Sequence, residues 1–304
     1  MSGRFSEETM TAAMRDIAAA LDQSAHDAHL LRFTNNAVFA LPTAGIVIRI
    51  ARTHQLRDRA TKVIRLARWF ADIDAPTIRL AHVEQPIDVG DLVASVWQYI
   101  APRTPAATVE DLGTVLRDFH ALGVPPFPVP KWNPIGDARQ RLSDAEGLSE
   151  PDRDFLATWC DLLEPRAAVL NEGGPQALVH GDAHVGNLLR EPSGRVVMCD
   201  FDSTSVGPWQ IDLAAVAVAE LRFGTNGRHL SMATAYGFDV TRDPLWEILR
   251  EVRELKMIAA VMPYLATSPQ VAAEFTNRLN SISHGDSTAR WIPFADLSRP
   301  KPIR

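Results

Sequence analysis

Apolar residues recur at helical spacing from early in the chain. Met10, Ala13, Met14, Ile17 and Leu21 share one face, and Ser6 stands where a cap belongs, which predicts a helix over about 7–22. Two short apolar runs follow, Ala37–Leu41 and Ile46–Ile50, separated by Pro42-Thr-Ala-Gly45. Rich in β-branched residues and joined by turn formers, they read as a hairpin. An amphipathic helix comes next, over about 54–72. Leu56, Ala60, Val63, Ile64, Ala67 and Phe70 line one side of it, and Arg57, Arg59, Lys62, Arg65 and Arg68 mostly the other. Strand-like segments are expected at 78–84 and 92–100, before Ala101-Pro-Arg-Thr-Pro105 interrupts regular structure and marks a hinge.

The remainder is patterned for helices. Leu112, Val115, Leu116, Phe119 and Leu122 mark one, the Pro-rich run 124–134 breaks the chain, and Phe155, Leu156, Trp159, Leu162 and Leu163 mark a long helix over about 152–170. Further helices are expected at about 209–222, 245–266 and 269–283. The order predicts an α+β protein with a small N-terminal lobe holding an antiparallel sheet over 1–100 and a larger, mainly helical lobe over 101–304.

Composition narrows the function. At 304 residues, 46% hydrophobic and 22% charged, the chain can bury a substantial core without disulfides or metals. A formal net charge of −6 argues against a dedicated nucleic-acid binder, which would concentrate Lys and Arg against phosphate. The two cysteines, Cys160 and Cys199, lack metal-type spacing and read as reduced packing residues. The polar N-terminus has no signal-peptide core, and no run reaches the roughly 20 apolar residues of a membrane span, so a cytoplasmic location is expected.

The chemistry-bearing residues cluster between 179 and 212. His180-Gly181-Asp182 is followed by Asn187 and then Asp200. Between the last two, Leu188-Leu189-Arg190 and Val196-Val197-Met198-Cys199 look like short strands about Glu191-Pro-Ser-Gly194. A tight hairpin would bring the Asn187 amide and the Asp200 carboxylate together. Such hard oxygens suit Mg²⁺, which takes its other ligands from water and nucleotide phosphates. Asp182 would face the same point as a base or orienting group for an attacking hydroxyl.

At these residues the sequence resembles the aminoglycoside phosphotransferase and choline kinase group, relatives of the protein kinases. Its members carry a His-x-Asp-x-x-x-x-Asn loop, then Asp-Phe or Asp-Trp, a Gly, and an Asp-Leu-Ala helix start. This chain has His180-Gly-Asp182, Asn187, Asp200-Phe201, Gly207-Pro208 and Asp212-Leu213-Ala214 in that order. The resemblance implies a two-lobed protein-kinase-like fold and transfer of the γ-phosphoryl group of ATP or GTP to a hydroxyl of a small molecule. An aminoglycoside, amino sugar, other antibiotic or metabolite would serve as acceptor, with no nucleic-acid or membrane partner. It makes Asp182 the catalytic base, Asn187 and Asp200 the Mg²⁺ ligands, and Asp212 a brace for the catalytic loop. His180 is assigned a structural role, while His184 stands either near the acceptor or as a polar loop residue, and Asp202 is loop polarity beside the metal ligand.

In the first lobe Arg49 stands where the family has a strand lysine that contacts the α- and β-phosphates. Asn35 and Asn36 lie where a nucleotide-covering loop is expected, and Trp97 to Ile100, with Tyr99, would offer backbone groups to adenine. The acid that should pair with the strand cation is missing from the following helix: Asp58 is nearest, and alignment puts Lys62 or Val63 at its place. Arg49 and that departure motivate an alternative, a catalytically weak or inactive nucleotide-binding relative with a regulatory or binding role. A metallophosphoesterase is disfavoured by the absence of further His and Asp ligand motifs. A protein kinase is disfavoured by the absence of a glycine-rich loop and of a long segment after Asp200. Glu220, Glu247, Glu251 and Glu254 are candidates to recognise an amine, or else solvated helix charges.

Overall fold

A computed structural model describes residues 6–33, 36–51, 57–172 and 174–297. The chain divides into two compact units that interleave in sequence. The first comprises Met1–Thr108, Pro125–Val129 and Val185–Ser203, and the second comprises Val109–Val124, Pro130–His184 and Thr204–Arg304.

In the first unit, helix α1 (Glu7–Ala20) is capped by Ser6, whose hydroxyl accepts the Thr9 N–H at 3.1 Å. Strands β1 (His29–Phe33), β2 (Asn36–Leu41), β3 (Ile46–Ala51), β4 (Ile87–Val89) and β5 (Leu92–Gln98) form one antiparallel sheet in the order β1-β2-β3-β5-β4. The expected hairpin is β2–β3, in register from Leu41 opposite Ile46 to Asn36 opposite Ala51. Met10, Met14 and Ile17 of α1 pack with Phe39, Ile48, Ile50 and Val96 of the sheet, so each element buries its apolar stripe against the other. Helix α2 (Arg57–Asp72) buries Val63, Ile64, Ala67 and Phe70; residues 52–56, where the sequence begins this helix, lie outside the described residues. Strands β7 (Leu188–Arg190) and β8 (Val196–Met198) form a separate hairpin in this unit.

The 78–84 segment is extended but is not a strand. Its hydrogen bonds are divided between two partners: Ile78 donates to the Met198 carbonyl at 3.0 Å and Ala81 to that of Val96 at 2.9 Å, so no continuous ladder forms. The buried Gln85 side chain then takes the place of a strand, accepting the Val96 N–H at 2.9 Å and donating to the Val96 and Ala81 carbonyls. Strand β1, unexpected from the sequence, leaves both Leu31 and Phe33 on exposed positions and so shows no readable alternation.

The second unit contains α3 (Val109–His120), α4 (Pro134–Ser143), α5 (Glu150–Glu172), β6 (Gln176–Val179), β9 (Ser205–Pro208), α6 (Gln210–Phe223), α7 (Arg228–Tyr236), α8 (Trp246–Ala259), α9 (Pro269–Ser283) and α10 (Phe294–Leu297). Strands β6 and β9 pair antiparallel. The core gathers Leu156, Cys160 and Leu163 of α5, Val218 of α6, Leu255 and Ile258 of α8, and Phe275 and Leu279 of α9. Three helices were not expected: α4, α7 and the single turn α10. Helix α4 begins inside the Pro-rich run because Asn133 caps it, accepting the Gly136 N–H at 3.0 Å, with Pro134 in the first turn where no donor is needed. Helix α7 buries only Met232 and Ala233, too short a stripe to read. Helix α8 stops at Ala259, and the remainder of the expected 245–266 helix is a 3₁₀ turn, Met262–Tyr264. His284-Gly285-Asp286 repeats the tripeptide of 180–182, but here His284 caps the C-terminus of α9 and Gly285 follows in the left-handed region at φ 64°, so it is a helix-terminating turn.

Candidate active site

The β7–β8 hairpin fixes the first group of residues. Leu188 lies opposite Met198 and Arg190 opposite Val196, and Gly194 (φ 90°) supplies the turn. One step beyond the ladder, the Cys199 N–H donates to the Asn187 carbonyl at 2.9 Å. Asn187, which is buried, and Asp200 therefore flank the two strands at the open end of the hairpin. Asp200 adopts φ 69°, a left-handed conformation that costs a non-glycine residue energy and tends to persist where function needs it.

Basic side chains converge on this loop. Arg32 of β1 donates to Asp200 at 2.8 Å, and Arg49 of β3 lies 3.6 Å from the other Asp200 oxygen. Arg49 also makes a hydrogen-bonded ion pair with Asp202, whose carboxylate accepts from Asn36 at 3.2 Å. Lys62 of α2 donates to the Asp202 carbonyl at 2.7 Å. Asp202 is thus more than loop polarity. It supplies the acid that α2 lacks, and the helix position instead carries a cation that binds the same loop. Asp58 is exposed and takes no part in this cluster. Asn35 lies outside the described residues.

Trp97 is buried in the core, its indole N–H donating to Ser95 at 2.9 Å and its ring 6.5 Å from that of Phe201. The backbone N–H groups of Gln98 and Tyr99 donate to the carbonyls of Arg79 and Gly45, both at 2.9 Å. Cys199 is packed beside this loop, and burial together with the Asp200 charge pushes its thiol up to about 12, so it is inert.

The second group belongs to the second unit and follows β6. Asp212, buried in the first turn of α6, does not cap its own helix. Its carboxylate accepts the backbone N–H groups of His180 at 2.7 Å and Gly181 at 2.8 Å, and the His120 Nε2 hydrogen bond at 3.0 Å. His120 Nδ1 is in turn hydrogen-bonded to the Tyr236 hydroxyl at 2.9 Å. Burial raises the pKa of Asp212, but the bonds and charges of His120 and His180 outweigh it and hold the carboxyl below its usual value. His180 is fully buried, its ring 6.4 Å from Phe119 and its Nδ1 accepting the Asp182 N–H at 3.2 Å.

The loop is therefore gripped through its backbone, while the Asp182 side chain stays 43% exposed. His184 Nε2 is 3.9 Å from it, Arg253 3.7 Å and Lys256 4.0 Å. Lys256 also donates to the Gly181 carbonyl. Burial tends to raise the Asp182 pKa, but the charges of Lys256 and Arg253 prevail and keep it below the ordinary carboxylate range. Desolvation and the neighbouring Arg253 lower Lys256 to about 8.

Arg32, His120, Tyr236, Arg253 and Lys256 were not singled out from the sequence. The one local signal was Lys256, a lysine between apolar neighbours in Leu255-Lys256-Met257-Ile258. The four glutamates considered for amine recognition are engaged otherwise. Glu220 accepts the His229 N–H at 2.6 Å, Glu247 pairs with Arg250 at 2.7 Å, Glu251 binds Arg166 through both oxygens at 2.7 and 2.8 Å, and Glu254 is buried against Arg222 at 2.7 Å.

The architecture is the two-lobed protein-kinase-like fold of small-molecule kinases. It matches an aminoglycoside phosphotransferase, APH(3'')-Id from Streptomyces rimosus, solved with ADP and streptomycin (TM-score 0.62, 16% identity, 81% of this chain and 98% of that one). It also matches a choline/ethanolamine kinase family protein from Mesorhizobium loti (0.63, 17%, 90% and 94%) and the choline kinase LicA from Streptococcus pneumoniae (0.61, 14%, 90% and 99%). No curated protein sequence matches the chain significantly. The family model described as "Phosphotransferase enzyme family" matches residues 31–255, and the chain belongs to that family. No helix among the described residues is long and apolar enough to cross a membrane.

Proposed function

We propose that the protein transfers the γ-phosphoryl group of ATP or GTP to a hydroxyl of a small molecule, with Asp182 as the base and Asn187 and Asp200 holding Mg²⁺. The observation that carries this reading is the Asp182 loop. A buried carboxylate, Asp212, anchors it by two consecutive backbone N–H groups, while the Asp182 carboxylate remains accessible and ionised. Such an oxygen can align an acceptor hydroxyl and take its proton as the O–P bond forms.

The donor set fits the metal. A carboxylate and an amide oxygen at the end of one hairpin are hard ligands of the kind that would hold Mg²⁺ beside nucleotide phosphates. When bound, the ion supplies neutralisation of charge on the phosphate oxygens. Arg49, held by Asp202, presents a guanidinium fork suited to phosphate, although its geometry differs from that of a lysine. Asn36 steadies the same carboxylate. In this reading residues 1–100 cover the nucleotide and residues 101–304 carry the base and the acceptor site. The solved relatives bound to ADP or AMP support a nucleotide co-substrate.

The test is release of ADP or GDP by purified protein across amino sugars, aminoglycosides, other antibiotics and hydroxylated metabolites, with and without Mg²⁺. Metal-dependent release stimulated by an acceptor is expected. Tight nucleotide binding without turnover on any acceptor would favour the inactive relative, for which the absence of a helix acid is the supporting observation.

A further inference from the structure

The surroundings of Asp182 carry the wrong charge for a polyamine. Two cations from one face of α8 point at its carboxylate, Arg253 at 3.7 Å and Lys256 at 4.0 Å. The glutamates of the same helix are each tied to an arginine, as described above. Asp212 is buried and saturated by its bonds to His120, His180 and Gly181.

Arg253 is the unusual member of the group. Its side chain is only 17% exposed, yet among the described residues it makes no hydrogen bond, and its Nε is buried without a partner. At 3.7 Å its contact with Asp182 is a charge interaction, too long for a hydrogen bond. A guanidinium taken out of water normally satisfies several of its five donors, because leaving a buried charge uncompensated is costly. Lys256 differs, since it is anchored on the Gly181 carbonyl.

We propose that the acceptor of this kinase is an anion, a hydroxylated compound bearing a carboxylate or phosphate group that Arg253 binds through its free donors, with Lys256 adding positive field. This rests on the reading of Asp182 as the base. An oxygen pair on the acceptor fills the guanidinium fork while the acceptor hydroxyl meets Asp182. Amine-rich acceptors face like charge at the same place and bind poorly.

The test compares acid and amide forms of the same acceptors, glycerate with glyceramide and gluconate with gluconamide. Glucose 6-phosphate is paired with glucose, and choline and kanamycin are run as cations. ADP release is followed for the wild type, Arg253→Gln and Arg253→Lys, with melting curves as a check on folding. The wild type is expected to favour the anionic member of a pair by about 10- to 100-fold in kcat/KM, the size of a charge-assisted hydrogen-bond pair. Arg253→Gln should erase that preference chiefly through KM, and Arg253→Lys should restore part of it.

A wild-type preference for the neutral or cationic compounds overturns the inference and leaves the phosphotransferase reading intact, and it needs no variant to be seen. An equal loss on acid and amide in Arg253→Gln also overturns it, placing Arg253 on the transferred phosphoryl group. Absence of nucleotide-dependent turnover with every compound would overturn both readings.

Discussion

Asp182→Asn is expected to lower kcat by about 10²- to 10⁴-fold, the usual weight of a general base, while the protein remains folded. The substitution is nearly isosteric, and it leaves in place the bonds from the backbone of His180 and Gly181 to Asp212. What changes is charge. An amide oxygen accepts a hydrogen bond from the acceptor hydroxyl but cannot take its proton, and Arg253 and Lys256 lose their counter-charge. Steady-state nucleotide release with the best acceptor, paired with a melting curve, reads both effects. A variant that retained more than about a tenth of wild-type kcat would remove Asp182 from the role of base.

Asp212→Asn is expected to act mainly on stability. The carboxylate is buried and accepts three hydrogen bonds. An asparagine supplies one acceptor oxygen and turns an NH₂ group toward donors, so at least one buried N–H loses its partner. Breaking such a network costs about 3–5 kcal/mol, measurable by urea unfolding. The pH dependence follows from the sign of the shift. The folded pKa of Asp212 lies below its unfolded value of 3.8, so its contribution is complete above 3.8 and is lost as the pH falls through the depressed folded value. The wild type should therefore show an acid-induced loss of stability below about pH 4 that is smaller in Asp212→Asn. Equal acid sensitivity in the two proteins would contradict the role given to this carboxylate.

Elements whose pattern is local were legible in the sequence. The β2–β3 and β7–β8 hairpins announce themselves through β-branched runs around Pro42-Thr-Ala-Gly45 and Glu191-Pro-Ser-Gly194, and α1 through its cap and its stripe of Met10, Met14 and Ile17. The 78–84 segment failed because composition gives strand propensity without saying whether one partner is available along its whole length; here two partners divide it. The charged clusters were hidden for a related reason. Arg49 and Asp202 are separated by 153 positions, and nothing local marks them as a pair. On α8, the glutamates and arginines at helical spacing imitate a solvated face, and only tertiary packing reveals that Glu254 is buried on Arg222 and that Arg253 lies beside Asp182. Arg49 pairs with Asp202 rather than with an acid of α2, and that partner is visible only in three dimensions.

Within the first unit, the hairpin end at Asn187 and Asp200 is expected to bind a divalent ion together with the nucleotide. Calorimetric titration of a non-hydrolysable ATP analogue, with and without Mg²⁺, addresses this directly in the wild type and in Asp200→Asn. The wild type should gain at least about tenfold in affinity when the metal is present, and the variant should lose most of that gain. Metal-independent binding by the wild type, or a gain that survives intact in Asp200→Asn, would contradict the assignment of this carboxylate as a metal ligand.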